Sequence, residues 1–249
     1  MQYLFKRKDE HSLHSPFLFD FYTNTSKTKH QLYSSEIESL RETLLSNTNS
    51  VTNLDFGAGS KTGTTIRTVG NLASQSLSTQ KQSAYFASVA SFLKPGIVLE
   101  LGTSLGINAM YLAKAIPTSK VITVEGNAEV ASIARSNFQK FGMTNLQLVE
   151  GTFEDKLPDI LKHVDTLDFV FFDGNHRFTP TLEYFGQCVS KANENSVFIF
   201  HDIYWSPEME KAWKAIIAKK EVRLSIDMFY FGIVFFKNNQ PKQHFILKF

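Results

Sequence analysis

Four side chains that can bind a cation or carry a proton follow two strongly apolar segments of the chain. The first apolar run ends at Asp173 and is followed by His176, and the second ends at His201 and Asp202. If the two runs are neighbouring parallel strands, they lie about 5 Å apart and their carboxyl ends bring these side chains to one rim of a sheet. Two carboxylates and two imidazoles at one rim could form either a cation site or an acid/base site.

A second group of residues predicts a loop that binds a nucleotide-type cofactor. An apolar run reaches Glu100 and then turns at Gly102 and Gly106, where the lack of a Cβ lets the backbone approach a ligand. The next predicted strand ends at Glu125, about 20 residues beyond the glycines, where a carboxylate can accept hydrogen bonds from both hydroxyls of a ribose. These residues leave two cofactors open, NAD and S-adenosylmethionine (SAM).

The glycine spacing distinguishes these two cofactors. A dinucleotide site usually has Gly-x-Gly-x-x-Gly, whereas this chain has Glu100-x-Gly102-x-x-x-Gly106. The pattern resembles motif I of the class I SAM-dependent methyltransferases, especially the catechol-type and sugar O-methyltransferases. The resemblance implies SAM as the cofactor, with Glu100 and the loop backbone at its methionine end and Glu125 at its ribose. Ser104 stands where the more usual loop has a third glycine.

The loop after the third predicted strand belongs to the same implied site. By the resemblance, the segment 151–153 borders the adenine, although Phe153 could equally be a core residue. The cofactor-binding residues implied in this way are Glu100, Gly102, Thr103, Ser104, Gly106, Glu125, Gly126, Gly151, Thr152, Phe153 and Asp173.

The rim residues resemble the catalytic region of metal-dependent sugar and macrolide O-methyltransferases. That resemblance implies that Asp173, His201 and Asp202 hold Mg²⁺ or another divalent cation, and that Asp173 and His176 are catalytic, with His176 as the base that takes the substrate proton. His201 stands where those relatives often carry an acid, and an imidazole would also suit Mn²⁺ or Zn²⁺. Purely structural roles also stay open for two of these residues. His176 could cap a turn, and Asp202 could accept hydrogen bonds from nearby backbone amides.

Apolar runs and amphipathic segments alternate from residue 97 onward, which predicts an α/β fold with a doubly wound parallel sheet. We expect strands at 97–101, 120–124, 146–150, 167–172 and 196–201, with helices at 106–116, 127–141, 154–163, 178–192 and 207–219. The runs at 222–228 and 230–237 are too close for a helical crossover, so they must pair antiparallel. The resemblance implies a Rossmann-like methyltransferase sheet of order 3-2-1-4-5-7-6, with the last strand antiparallel.

The first part of the chain lacks this alternation. Residues 1–79 are expected to form an extension of helices and loops, and residues 80–249 are expected to form the methyltransferase domain. The resemblance implies that the extension covers substrate or builds a dimer. The best helical candidates are 16–22, 34–46 and 80–93. A second glycine-containing turn at 55–60 has no acid at the expected distance, so we interpret it as part of a polar loop that could act as a lid.

The composition excludes several classes of partner. The 26 basic and 24 acidic residues are scattered without long runs, so no nucleic acid and no anionic membrane surface is expected as a partner. Since no apolar run is long enough to cross a bilayer and no secretory leader is evident, we expect a cytoplasmic protein with a small-molecule acceptor. A homodimer is compatible with the sequence. Cys188, the single cysteine, falls in a predicted helix and is expected to be a buried apolar residue.

Two other functions stay open. An NAD-dependent oxidoreductase or epimerase would need a Tyr-x-x-x-Lys or a comparable hydride-transfer motif, and none follows the cofactor strands. A non-catalytic SAM-binding protein would have no need of Asp173, His176 and Asp202, so their presence favours an enzyme.

Overall fold

The structure is a computed structural model and describes residues 15–54, 64–238 and 241–249. In chain order the strands are β1 (Ser50–Leu54), β2 (Thr64–Thr68), β3 (Ile97–Leu101), β4 (Lys120–Glu125), β5 (Leu146–Glu150), β6 (Phe169–Phe172), β7 (Val197–His201), β8 (Leu224–Asp227), β9 (Phe231–Phe235) and β10 (Gln243–Ile246). The α-helices are α1 (Pro16–Thr28), α2 (Ser35–Leu45), α3 (Val69–Ser76), α4 (Gln80–Leu93), α5 (Ile107–Ala115), α6 (Ala128–Lys140), α7 (Phe153–Lys162), α8 (Phe178–Val189) and α9 (Pro207–Ala218).

The large sheet has the strand order β5-β4-β3-β6-β7-β9-β8-β10. All neighbouring strands are parallel except those that pair with β9, which is antiparallel to both β7 and β8. This arrangement confirms the α/β class and the order 3-2-1-4-5-7-6. Strand β10, which pairs parallel with β8 at the edge, was not predicted, because its four residues are only partly buried and give no clear apolar pattern.

Most residues of the central strands are apolar, because helices cover both faces of the sheet. Along β6, Phe169 and Phe171 face one core cluster, whereas Val170 and Phe172 face the other. Side chains alternate between the two faces of a strand, so a continuous apolar run fills two cores at once. Cys188 is fully buried in the second cluster, as the sequence predicted.

The N-terminal region is more regular than the sequence indicated. The three predicted helices are present as α1, α2 and α4, but β1 and β2 form an antiparallel ribbon and α3 follows at once. The polar loop was predicted to continue from the 55–60 turn to about residue 80, and this prediction was wrong from residue 64 onward. The two-stranded ribbon has an exposed side, where Ile66 lies, and this gives a weaker sequence signal than the buried strands. The glycine-containing turn at 55–60 lies outside the described residues.

Helix α1 packs onto the large sheet. Ser15 caps the helix by accepting from the Leu18 N–H, and Pro16 occupies its first turn, where proline is favoured because its missing N–H would have no partner within the helix. Phe21 is fully buried and lies edge-on to the Phe235 ring of β9, with ring centroids 5.2 Å apart.

In the part of the chain that the structure describes, no helix is both long and apolar enough to cross a membrane. The domain boundary at residue 79 stays a prediction.

Candidate functional site

A cavity of about 1090 Å³ opens at the carboxyl ends of the parallel strands, which is the edge where ligands bind in open α/β sheets. Strands β3, β4 and β5 lead into one side of it, and strands β6 and β7 lead into the other. We call the first side the glycine end, formed by Gly102, Ser104, Glu125, Gly126 and Asn127. We call the second side the histidine end, formed by Asp173, His176, His201 and Asp202. All nine residues line the same cavity.

The loop between β3 and α5 needs glycine at two positions. Gly102 has φ +110°, and a Cβ there would lie 2.2 Å from the carbonyl oxygen of Asp173. Gly106 has φ +89°, and a Cβ there would lie 2.4 Å from the Phe138 ring. Ser104, at the position where the more usual loop has a third glycine, adopts φ +49°, so the loop keeps a left-handed turn at the serine.

Glu125 is held at the end of β4 by backbone donors. Its carboxylate accepts from the Ser104 N–H at 2.8 Å and from the Asn127 N–H at 3.0 Å. Burial raises the pKa of Glu125, and the backbone donors act in the opposite direction. The side chain therefore fixes the glycine loop and also faces the cavity.

Glu100 lies beneath this loop instead of in the cavity wall. It is fully buried, and its two oxygens accept from Asn108 Nδ2 at 2.8 Å and from Thr123 Oγ1 at 2.5 Å. Burial raises the pKa of Glu100 to about 8 despite these two donors. The sequence predicted direct contact with the cofactor, whereas here Asn108 and Thr123 use both oxygens and Glu100 does not line the cavity.

The other residues predicted to bind cofactor divide into two groups. Gly126, Thr152, Phe153 and Asp173 line the cavity, whereas Thr103, Gly106 and Gly151 do not. Thr103 Oγ1 lies 2.6 Å from Thr123 Oγ1, which extends the buried hydrogen-bond chain from Glu100. Thr152 caps α7 by accepting from the Asp155 N–H at 3.3 Å.

The Phe153 ring packs against Tyr184 and Gly174 and also lines the cavity. Its ring centroid lies 5.4 Å from that of Tyr184, edge to face, and a Cβ on Gly174 would lie 2.8 Å from the ring. Tyr184 donates to Glu154 and accepts from Asn175 Nδ2 at 2.9 Å. Burial and the Glu154 carboxylate raise the pKa of Tyr184.

The sequence analysis missed three residues that line the cavity: Tyr184, Glu154 and Asn175. Tyr184 was missed because it follows the apolar pattern of an ordinary core helix.

At the histidine end, two imidazoles face the Asp173 carboxylate. His201 Nδ1 lies 2.9 Å from Asp173 Oδ1, and His176 Nε2 lies 3.8 Å from the same oxygen. His201 Nδ1 is also 3.6 Å from Asp202 Oδ2. Asp202 itself has φ +55°, a left-handed conformation that Asp tolerates better than most residues. The structure thus brings together all four side chains that the sequence placed at this rim.

The buried charges of this cluster shift one another. Burial alone would raise the pKa of Asp173, but His201 and His176 outweigh it and hold that pKa below its usual range. Burial alone would lower the pKa of His201, but Asp173 and Asp202 raise it to about 9. Burial also raises the pKa of Asp202, against the attraction of His201. Both carboxylates therefore favour a proton on His201.

Gln82 contacts the far side of His201 and was missed in the sequence. Its amide Nε2 lies 3.3 Å from His201 Nε2, and its Oε1 accepts from the Thr79 N–H at 2.9 Å. Thr79 and Gln82 form a capping box at the start of α4. The Thr-x-x-Gln spacing before an apolar helix is a visible signal for this pair, although it does not show that Gln82 reaches the cluster.

The three predicted metal ligands are close together, and two of them, Asp173 and His201, are hydrogen-bonded to each other. The Asp173 carboxylate contacts His201 Nδ1, the nitrogen that a metal ion between the carboxylates would need. Among the described residues, no group of three or more His, Cys, Asp or Glu side chains is arranged to hold a metal ion. The donor set therefore does not fit a divalent cation in this arrangement, and the metal assignment stays a prediction.

The aromatic residues after β7 differ in their environments. Trp205 is 70% exposed and lines the cavity. Tyr204 does not line it and instead donates to Asp227 Oδ2 at 2.5 Å. Trp213 is buried in the core against Gly232.

Comparison with known proteins identifies a domain family. Residues 99–203 match a family described as a methyltransferase domain. The chain is similar to catechol O-methyltransferase B of Danio rerio, with 41% identity over 90 residues that make up 34% of this chain and 34% of the relative. The match thus spans about a third of the length of that curated relative.

Solved structures share the fold at low sequence identity. A Podospora anserina methyltransferase with bound S-adenosylhomocysteine has a TM-score of 0.59 and 17% identity, over 67% of this chain and 82% of that one. A Bacillus cereus O-methyltransferase, also in complex with S-adenosylhomocysteine, has a TM-score of 0.58 and 18% identity, over 65% of this chain and 83% of that one.

Proposed function

We propose that this chain, which belongs to the class I SAM-dependent methyltransferases, transfers the methyl group of SAM to a hydroxyl oxygen of a small molecule. One observation carries the proposal. A single cavity joins Glu125, at the glycine end, to the Asp173 and His176 pair at the histidine end. The first element suits a ribose, and the second suits removal of a proton from a hydroxyl.

The glycine end supplies the groups for the cofactor. Glu125 can accept hydrogen bonds from ribose hydroxyls while its oxygens stay oriented by the Ser104 and Asn127 N–H groups. Phe153 offers a flat apolar ring at the cavity for an adenine, and Thr152 lies beside it. A cavity of about 1090 Å³ is large enough for SAM and a small acceptor together. Glu100 supports the loop from below and is not a direct ligand in this proposal.

The histidine end supplies the groups for the acceptor. A hydroxyl is a poor nucleophile until its proton is removed, and SAM supplies an activated methyl group on a sulfonium when it is bound. His176 accepts the hydroxyl proton as the oxygen takes the methyl group, and the methyl–sulfur bond breaks with its electrons left on sulfur. Asp173, 3.8 Å from His176 Nε2, stabilises the imidazolium that results.

No step of this proposal passes through a metal ion, because His201 Nδ1, the nitrogen that faces both carboxylates, is hydrogen-bonded to Asp173. The two other functions are not favoured. The glycine spacing and the β8–β9 hairpin argue against an NAD enzyme. The cluster at the histidine end argues against a protein that only binds SAM.

The test is turnover with a panel of acceptors. The purified protein is incubated with SAM and small phenols, catechols and sugars, and S-adenosylhomocysteine formation and product mass are measured by chromatography. We expect S-adenosylhomocysteine to form only when a hydroxyl acceptor is present and the product to carry the methyl group on oxygen. Methylation on nitrogen or carbon, or tight SAM binding without turnover of any acceptor, would contradict the proposal.

A further inference from the structure

One ring nitrogen of His201 faces both carboxylates of the histidine end. His201 Nδ1 lies 2.9 Å from Asp173 Oδ1 and 3.6 Å from Asp202 Oδ2. The two acids come from the ends of neighbouring strands, so their side chains converge on one point. A histidine nitrogen at that point either donates a hydrogen to the acids or offers a lone pair to a metal ion.

Gln82, on the other side of the ring, favours a hydrogen on Nδ1 in the neutral form of His201. Its Oε1 is used by the Thr79 N–H at 2.9 Å and the Thr79 hydroxyl at 2.8 Å, so its amide nitrogen faces His201 Nε2. An amide nitrogen only donates, and Nε2 of a neutral ring must therefore accept. The hydrogen of the neutral ring then lies on Nδ1. If the ring is doubly protonated, Nδ1 carries a hydrogen as well.

The ring also has little freedom to turn. His201 is 8% exposed, and the Phe86 and Phe171 rings each lie with their centroids 6.0 Å from that of His201. Both phenylalanines belong to the core cluster that Phe169 and Phe171 of β6 face. The N–H group is thus held toward the two acids in either protonation state.

We infer that the Nδ1–H group of His201 holds the Asp173 and Asp202 carboxylates together in the way that a divalent cation would, so this protein binds no Mg²⁺ or Mn²⁺ at the histidine end. Nδ1 cannot coordinate a metal while it carries a hydrogen. His201 is a positioning residue here, since it orients Asp173, which in turn faces His176. The consequence that methyl transfer is independent of divalent metal rests on the proposed function.

The direct test measures Mn²⁺ binding through the loss of the electron paramagnetic resonance signal of free Mn²⁺. Wild type, His201→Asp and His163→Asp are titrated with and without S-adenosylhomocysteine. Wild type and His163→Asp, whose exposed histidine lies outside the cavity, are expected to bind no Mn²⁺ at millimolar concentration. His201→Asp places a third carboxylate at the cluster and is expected to bind one Mn²⁺. One Mn²⁺ bound by wild type and lost in Asp202→Asn would overturn the inference, as would a folded His201→Asp that binds none.

A second measurement does not depend on the variant folding. Long-range ¹⁵N–¹H spectra of wild type should show that Nδ1 of His201 carries a hydrogen across the pH range in which the protein is folded. A hydrogen on Nε2 alone would contradict the inference. S-adenosylhomocysteine binding, recorded in the same samples, reports on the proposed function separately, because it can fail while Mn²⁺ is still excluded.

Discussion

The two ends of the cavity hold their acids by different means. At the glycine end, Glu125 accepts from the backbone N–H groups of Ser104 and Asn127. At the histidine end, Asp173 is surrounded by side chains, with His201 Nδ1 at 2.9 Å and His176 Nε2 at 3.8 Å. The donors to Glu125 are backbone N–H groups, so they are set by the conformation of the loop. The donors to Asp173 are side chains, so each can be removed by a single substitution.

This difference separates binding from chemistry. Changes at the glycine end should alter the loop and the affinity for cofactor, because backbone and carboxylate act there as one unit. Changes at the histidine end should alter the reaction while cofactor binding persists. The four predictions below test this division, starting with the largest expected effect.

Replacing His176 by Asn should lower kcat by roughly 10²- to 10⁴-fold, because the reacting hydroxyl loses its base. The dissociation constant for S-adenosylhomocysteine should stay within about twofold of wild type if His176 acts only in chemistry. Steady-state kinetics with an acceptor from the panel, together with calorimetry, measure both quantities. His163→Gln changes an exposed histidine and should match wild type. An unchanged kcat in His176→Asn would remove His176 from the reaction.

Replacing Gly102 by Ala should destabilise the protein by about 3 kcal/mol or more, because the added Cβ meets the Asp173 backbone and the φ of +110° is strained for alanine. Gly102 belongs to the glycine end and contacts the Asp173 backbone of the histidine end, so cofactor affinity and turnover should both fall. Thermal unfolding measures the loss. The matched control is Gly186→Ala on α8, where no atom lies within 4 Å of the added Cβ. Equal stability of both variants would contradict the geometry of the loop.

Glu100 should make the protein less stable as the pH rises. Its pKa is about 8 in the folded protein against an ordinary 4.5, so between these values the unfolded chain releases a proton that the folded protein keeps. The free energy of unfolding should therefore fall by on the order of a few kcal/mol from pH 4.5 to 8, and stay level with respect to this group below that window.

In Glu100→Gln this contribution should disappear, since an amide has no proton to release and can still hydrogen-bond to Thr123 and Asn108. Urea unfolding at pH 5 and pH 8 measures the difference. Glu183→Gln, an exposed change on α8, should keep the wild-type pH dependence. If wild type and Glu100→Gln lose stability equally over this range, Glu100 is already ionised in the fold.

Replacing Glu125 by Ala should weaken S-adenosylhomocysteine binding by on the order of 1 to 3 kcal/mol, because ribose hydroxyls lose a charged acceptor. Glu150→Ala removes the acid at the end of the next strand, which pairs with Arg135 at the surface, and should bind as wild type does. Calorimetry of both variants makes the comparison. Equal affinities would show that Glu125 serves the loop alone.

The fold was largely predictable because its signal is strong. Strands β3, β4, β6 and β7 are largely buried on both faces, so most of their residues are apolar, and Gly102 and Gly106 mark the turn after β3. Strand β10 and the β1–β2 ribbon were missed because they lie at edges and are only partly buried.

The site was predictable only in part. Adjacent strand ends place Asp173 and His201 together, and the sequence shows this directly. The burial of Glu100 beneath the loop and the contact of Gln82 with His201 depend on side-chain directions and on the packing of α4, which no motif encodes. Motifs located the cavity, while packing decided which of the motif residues face it.

The central claim is that the glycine end accepts SAM and not a dinucleotide. Calorimetric titration of wild type with S-adenosylhomocysteine, and separately with NAD, tests it most directly. We predict that S-adenosylhomocysteine binds at one site per chain and that NAD neither binds nor competes. Tight binding of NAD without any binding of S-adenosylhomocysteine would contradict the account.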